Sequence, residues 1–295
     1  MNLDQAKTLW TEILTGGSEI RPTEAIVREL MEFSGLPEAE VRKLATSSQE
    51  ISAQKWDEAD RSTPEGLREF YRSVSSWVFG TLNYHAKQAE AKDYPLPVQV
   101  LARLSERPPG DHLDFGAGVA TASLLFARQG WRPIISDVSP SLLEFARWRC
   151  ARAGVTARFI DLNDEGVGEN QYDLITAFNT FAHIPDLAPT LIDLRRALRP
   201  GGLLIFDIDT RKRTRGNEWF FHGSAFPVLR ALRGMGFERR DKIGEMFVFE
   251  RAELSGAKRA FYEAVDRLRY TTAGEGAVNL MWRVRSKARA LLRRN

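Results

Sequence analysis

The order of apolar and polar positions along the chain changes character near residue 110. Before it, apolar residues recur every three or four positions, the period of a helix with one buried face. PTEAIVRELMEFSG (22–35) carries Ile26, Val27, Leu30 and Met31 on one face and stops at Gly35. LPEAEVRKLA follows, with Pro37 suited to a first helical position. STPEGLREFYRSVSSWVFGTLNYHAK opens on Thr63-Pro64, a cap and first turn. It predicts one long helix whose apolar set includes Leu67, Phe70, Tyr71, Val74, Trp77, Val78 and Leu82. DYPLP (93–97) reads as a joint into a helix over 98–106. Residues 1–107 are therefore expected to form a helical N-terminal lid or substrate domain.

From residue 111 onward, short apolar runs alternate with amphipathic helices. Strands are expected at HLDFG, RPIISDV, ARFID (157–161), YDLITAFN (172–179) and GGLLIFDID (201–209). Helices are expected over 120–129, 140–153, 186–198 and 223–234. Ser139-Pro140 opens one of them, Gly154 closes it, and Pro200-Gly201-Gly202 turns the chain into the next strand. Such alternation predicts an α/β fold, a doubly wound, mostly parallel sheet covered on both faces. GFERRDKIGEMFVFERA (236–252) then reads as two strands about Gly244, an antiparallel hairpin that completes seven strands. This unit spans 108–252, and 253–295 forms a basic helical extension.

Composition narrows the class. With 295 residues, 43% hydrophobic and 27% charged, the chain is ordinary globular protein. No apolar run is long enough for a membrane span, and the first residues lack a basic-then-apolar signal pattern, so a cytoplasmic protein is expected. The single cysteine, Cys150, excludes an internal disulfide and a cysteine-rich metal cluster, and no metal is expected. Residues 211–295 hold 20 Lys/Arg against 9 Asp/Glu, so an anionic partner would be met there first.

HLDFGAGVAT (112–121) holds the most telling chemistry. In an open parallel sheet, ligands lie beyond the carboxyl ends of the strands. Gly116 permits a tight turn, Gly118 lets a ligand lie against backbone, and the helix from Ala120 offers free N–H groups. Asp137 ends the second strand, where a carboxylate suits a ribose diol. Val138 beside it suits a purine ring. Asp161-Leu162 ends the third strand, where an acid accepts from an adenine amino group, and Asn179 ends the fourth. A nicotinamide dinucleotide fits less well, because Thr121 stands where its fingerprint needs Gly or Ala and Asp114 would face a pyrophosphate. S-adenosylmethionine carries an ammonium and a sulfonium, which suit an acid at that strand end.

HLDFGAGVATAS, IISDVSPSLLEFAR, ARFIDLND, YDLITAFNTFAHIPD and LRRALRPGGLLIFDI stand in the order and spacing of class I S-adenosylmethionine-dependent methyltransferases, and the chain resembles that superfamily over about 108–252. The resemblance implies a Rossmann-like fold with an antiparallel last strand. It also implies S-adenosyl-L-methionine as cofactor and S-adenosyl-L-homocysteine as product. By position, Asp114, Gly116, Ala117 and Gly118 would line the methionine end. Asp137 would hold the ribose, Val138 the adenine, and Asp161 with Leu162 the adenine edge. Asn179 would lie under the sulfonium side. The family often has a third glycine where this chain has Ala120.

Methyl transfer from sulfonium is an in-line displacement that needs alignment, and a base only if the acceptor loses a proton. His183, after the fourth strand, is the best-placed histidine for orienting the acceptor or acting as base, set against a structural loop histidine. Asp209 at the end of the fifth strand would face the same mouth. Tyr84 and His85 end the long helix and would meet the methionine end or the acceptor, the plain alternative being a solvated helix end. Trp56, Trp219, Phe221 and His222 read either as a wall for an apolar acceptor or as packing. Cys150, mid-helix, reads as packing.

Arg211, Lys212, Arg213 and Arg215 would favour an anionic group on the acceptor. NLMWRVRSKARALLRRN puts Leu280, Met281, Val284, Ala288, Leu291 and Leu292 on one helical face with arginines around it. This is either a docked helix or a peripheral membrane contact. With no nucleic-acid module visible, the expectation is methyl transfer to an O, N or C atom of a small molecule. The rivals are an RNA- or protein-modifying enzyme docking through the basic segment and a non-catalytic cofactor-binding subunit.

Overall fold

A computed structural model describes residues 1–253, 255–271 and 273–274. Its strands are β1 (Asp111–Phe115), β2 (Arg132–Asp137), β3 (Arg158–Asp161), β4 (Tyr172–Ala177), β5 (Leu198–Phe206), β6 (Phe237–Ile243) and β7 (Met246–Arg251). They form one sheet in the order β3-β2-β1-β4-β5-β7-β6. The pairs from β3 through β5 are parallel. β7 pairs antiparallel with β5, and β6 with β7, so the expected terminal hairpin closes the sheet. Strand order reverses between β1 and β4, which opens a crevice at their carboxyl ends.

The helices are α1 (Leu3–Thr15), α2 (Pro22–Ser34), α3 (Glu38–Glu58), α4 (Pro64–Ser73), α5 (Trp77–Glu90), α6 (Leu96–Arg103), α7 (Thr121–Ala127), α8 (Pro140–Arg152), α9 (Leu187–Ala197), α10 (Phe226–Ala231) and α11 (Gly256–Arg269). The single long helix expected from residue 63 is in fact two. Val74 leaves helical geometry at φ −90°, ψ 81° and is fully buried. Ser73 Oγ donates to the Phe70 carbonyl at 3.0 Å, and Ser48 Oγ donates to the Ser76 carbonyl at 2.9 Å. The Ser73 hydroxyl occupies a carbonyl of the last turn of α4, a local bond of the kind that competes with the helix ladder. α1 adds a helix whose start is fixed by a reciprocal cap between Asn2 and Gln5.

Strand alternation divides the core between the two sheet faces. On one face Leu174, Leu203 and Ile205 meet Phe126 of α7 and, from the N-terminal helices, Trp10, Ile26, Leu30, Val78 and Leu82. On the other, Leu113, Ile175, Leu204 and Phe206 meet Leu191, Leu194, Leu232 and Phe237. The N-terminal segment thus shares one apolar cluster with the sheet across residue 107. It serves as a wall of the core as well as a cover for the cleft. A separate cluster of Trp56, Phe70, Val74 and Trp219 joins α3 and α4 to the loop after β5. The basic stretch from Leu280 to Arg294 lies outside the described residues.

Candidate functional site

A cavity of about 1790 Å³ opens at the carboxyl ends of β1, β2 and β4. Its floor is the turn after β1. Gly116, Gly118 and Ala120 take left-handed φ values of 70°, 55° and 56°. The amides of Gly116 and Ala117 donate to the Ser136 carbonyl at 2.8 and 3.0 Å, tying the turn to β2. A Cβ on Gly116 would fall 2.3 Å from Thr180 Cγ2, so this glycine makes room for protein. A Cβ on Gly118 would meet nothing nearer than Thr81 at 3.8 Å. Gly118 therefore leaves its backbone bare to the cavity.

Two acids stand around this turn. Asp137 takes the Gly118 amide on Oδ2 and the Ser139 amide on Oδ1, both at 2.9 Å. Burial raises its pKa, and these backbone bonds pull it back. A carboxylate has about four lone-pair sites, so two remain for hydroxyl donors. Asp114 lies under the turn, 1% exposed. It accepts from Ser123 Oγ at 2.6 Å and Thr176 Oγ1 at 3.2 Å, and His112 Nε2 bonds Thr176 in turn at 2.8 Å. Burial pushes Asp114 up to about 6, the two hydroxyls oppose it, and the charge of Asp137 adds to it. Buried acids of this kind favour a cationic or hydroxyl-bearing guest.

Ala117, Val138, Leu162 and Asn179 also line the cavity. Asn179 has φ 53°, and its amide donates to Asp207 Oδ1 at 2.7 Å. Burial lifts the Asp207 carboxyl to about 6, a group the sequence reading assigned no part in the site. Asp161 ends β3 as expected, yet it lies outside the cavity lining. Its Oδ1 is drawn to Asn163, taking the amide at 2.9 Å and Nδ2 at 2.7 Å.

Tyr84 and His85 of α5 also line the cavity. His183 lines it from a short 3-10 turn, Phe181–His183. Its ring packs edge-on to Phe220 at 4.8 Å, and Tyr71 donates its hydroxyl to the His183 carbonyl at 3.0 Å. Nδ1 of His183 is buried without a hydrogen-bond partner, and burial lowers the ring to about 4. Asp209 and His222 sit apart from the lining. β5 ends at Phe206, so Asp209 falls in the following loop, where both oxygens are engaged by Arg211. Burial works against the charge of Asp209, and the Arg211 bonds outweigh it, holding the carboxyl below its ordinary range. His222 Nε2 bonds the Ile184 carbonyl at 2.8 Å.

The cavity also has aromatic walls: Tyr71, Trp77, Phe178, Trp219 and Phe220. Of the aromatic residues expected there, Trp219 lines the cavity, while Trp56 and Phe221 pack behind it. Cys150 is buried and its thiol is pushed up to about 11, as suits a packed side chain.

A family model described as a methyltransferase domain matches residues 87–248, which takes in the whole parallel sheet, the glycine turn and the cavity floor. The chain belongs to this methyltransferase family. Its fold and motifs place it in the class I S-adenosylmethionine-dependent superfamily. Among relatives, it is 31% identical over 116 residues to the reducing polyketide synthase Preu2 of Preussia isomera, covering 36% of this chain and 5% of that one. It is 25% identical over 115 residues to the ubiquinone biosynthesis O-methyltransferase of Methylococcus capsulatus, 38% of this chain and 48% of that one. The methyltransferase chain thus spans at most about half the length of either. Among solved structures, an N-methyltransferase of Haemonchus contortus in complex with S-adenosylhomocysteine aligns at a TM-score of 0.47 and 17% identity, over 58% of this chain and 44% of that one. No helix among the described residues is long and apolar enough to cross a membrane.

Proposed function

We propose that the protein transfers a methyl group from S-adenosylmethionine to an O, N or C atom of a small, ring-bearing acceptor. One observation carries this reading. A single cavity joins the glycine turn and its acids to an aromatic-walled half. At about 1790 Å³ it exceeds the roughly 300–1,000 Å³ of a one-ligand pocket, which leaves room for donor and acceptor together.

S-adenosylmethionine, when bound, supplies an electrophilic methyl on a positively charged sulfur. The residues present fit it. Gly118 offers bare backbone, Asp137 has lone pairs for two ribose hydroxyls, and Val138 with Leu162 gives an apolar surface for adenine. Asp114 puts a buried acid beneath the turn for the cationic groups. Tyr71, Trp77, Trp219 and Phe220 would hold the acceptor by ring contact and exclude water. Their role is alignment, which contributes roughly 7–11 kcal/mol in favourable cases. His183 is anchored beside them and lines the cavity, which makes it the candidate for a proton the acceptor sheds.

The test is a methyl-label transfer assay against a panel of phenols, amines and carbon acids. A turned-over acceptor should show a raised KM in Phe220→Ala, with S-adenosylhomocysteine affinity unchanged. Transfer to RNA or protein, and to none of the small molecules, would overturn the reading.

A further inference from the structure

Behind the glycine turn lies a buried ion pair. Arg149 of α8 donates from Nε to Glu29 Oε1 of α2 at 2.8 Å, with side chains 1% and 7% exposed. Nη1 of Arg149 donates to the Val119 carbonyl and to Thr121 Oγ1, both at 2.8 Å. Thr121 Oγ1 in turn lies 3.0 Å from His85 Nδ1. A buried ion pair contributes little net stability, because desolvation offsets its attraction. What this one does is hold geometry: it fixes one carbonyl and one hydroxyl at the end of the turn.

The hydroxyl is the hydrogen-bond partner of His85 Nδ1. Donation from Arg149 polarises Thr121 Oγ1–H toward Nδ1, and that arrangement places the ring proton on Nε2; the other arrangement, Nδ1–H donating to the second lone pair of Oγ1, is what the tautomer measurement below distinguishes. Burial, and then the Arg149 charge, depress the ring to about 3, so it stays uncharged at neutral pH. Trp10 holds the ring edge-on at 5.1 Å and bonds the His85 carbonyl at 3.3 Å. His85 lines the cavity together with Ala117 and Gly118.

We infer that Glu29, Arg149 and Thr121 are positioning residues that set His85 as a fixed N–H donor beside the glycine turn, and that the donor's partner is the carboxylate of the cofactor's amino-acid end. The inference rests on the S-adenosylmethionine reading above. That end of the cofactor is zwitterionic. Asp114 suits its cationic groups and repels its carboxylate. An N–H donor beside the same turn meets the remaining need. While Thr121 Oγ1–H occupies Nδ1, Nε2 carries the proton and donates, which favours a carboxylate over a second amine.

Calorimetry on the full chain tests this with two ligands. One is S-adenosylhomocysteine; the other is 5′-deoxy-5′-(3-aminopropylthio)adenosine, which keeps the amine and lacks the carboxylate. His85→Phe should weaken the first about tenfold, the worth of one hydrogen bond to a charged group, and leave the second unchanged. His85→Gln, which keeps a side-chain N–H, should restore most of the loss. Nitrogen-detected NMR of the wild type at pH 7 should show the Nε2–H tautomer, and Thr121→Val should erode that preference. Equal weakening of both ligands, no weakening of either, or an Nδ1–H tautomer would overturn the inference. Wild-type protein that binds neither ligand would instead sink the cofactor reading itself.

Discussion

Asp137 accepts the backbone amide of Gly118 at 2.9 Å, which ties the end of β2 to the turn that follows β1. One carboxylate thus does two things. It shapes the turn, and it keeps lone pairs for whatever lies on the turn. A single-residue change on either side of that bond separates structure from binding.

The two glycines of the turn should respond differently to alanine. Gly116→Ala places a methyl against Thr180 in a left-handed conformation, and should cost about 2–4 kcal/mol of stability. Gly118→Ala meets open space, so only the left-handed cost of about 1–2 kcal/mol applies. Its methyl, however, stands where a ligand would lie, and S-adenosylhomocysteine affinity should fall tenfold or more. Urea melts and calorimetry on the two variants check this. Equal stability loss with unchanged affinity for Gly118→Ala would contradict it.

Three histidines set the acid limb of stability. His85 and His112 sit near 3 and His183 near 4, each lowered by burial, against about 6.5 in an unfolded chain. Each is uncharged when folded and takes a proton when unfolded. Their contribution is present above about pH 6.5 and is lost as pH falls toward 4. Asp114 and Asp207, raised to about 6, work the other way but are displaced less. The unliganded protein should lose about 1–3 kcal/mol between pH 7 and pH 5, read from urea midpoints. An unchanged or higher midpoint at pH 5 would show that these rings are not held uncharged.

The parallel sheet and the glycine turn were legible in the sequence because the parts of the turn fall close together along the chain. Gly116, Gly118 and Asp137 lie within 25 residues, and strand–turn–helix punctuation puts them at one strand end. The aromatic half was not legible. Tyr71, Trp77 and Phe220 come from distant segments, and their spacing is that of any buried helix face. The break at Val74 was hidden for a similar reason, since the apolar period runs through it unbroken. Asp161 and Asp209 are at or near the expected strand ends and lie outside the cavity lining; Asn163 takes one oxygen of Asp161, and Arg211 takes both of Asp209. Glu29 and Arg149, 120 residues apart, carry no sequence signal beyond two charges on amphipathic helices.

The N-terminal helices should prove indispensable to folding. Removing residues 1–90 strips Trp10, Ile26, Leu30, Val78 and Leu82 from the cluster that covers Leu174, Leu203 and Ile205. Exposing that face should leave residues 91–295 aggregated or without a cooperative melt. A monodisperse fragment with a sharp thermal transition would show that the segment is only a lid.

The central claim is that the crevice at β1 and β2 holds an adenosyl cofactor. Calorimetric titration of S-adenosylhomocysteine into wild type and Asp137→Ala measures it most directly. One saturable site is expected in the wild type, weakened by about 1–3 kcal/mol in the variant through lost hydrogen bonds to a charged group. No saturable binding to the wild type, or equal affinity in the variant, would contradict it.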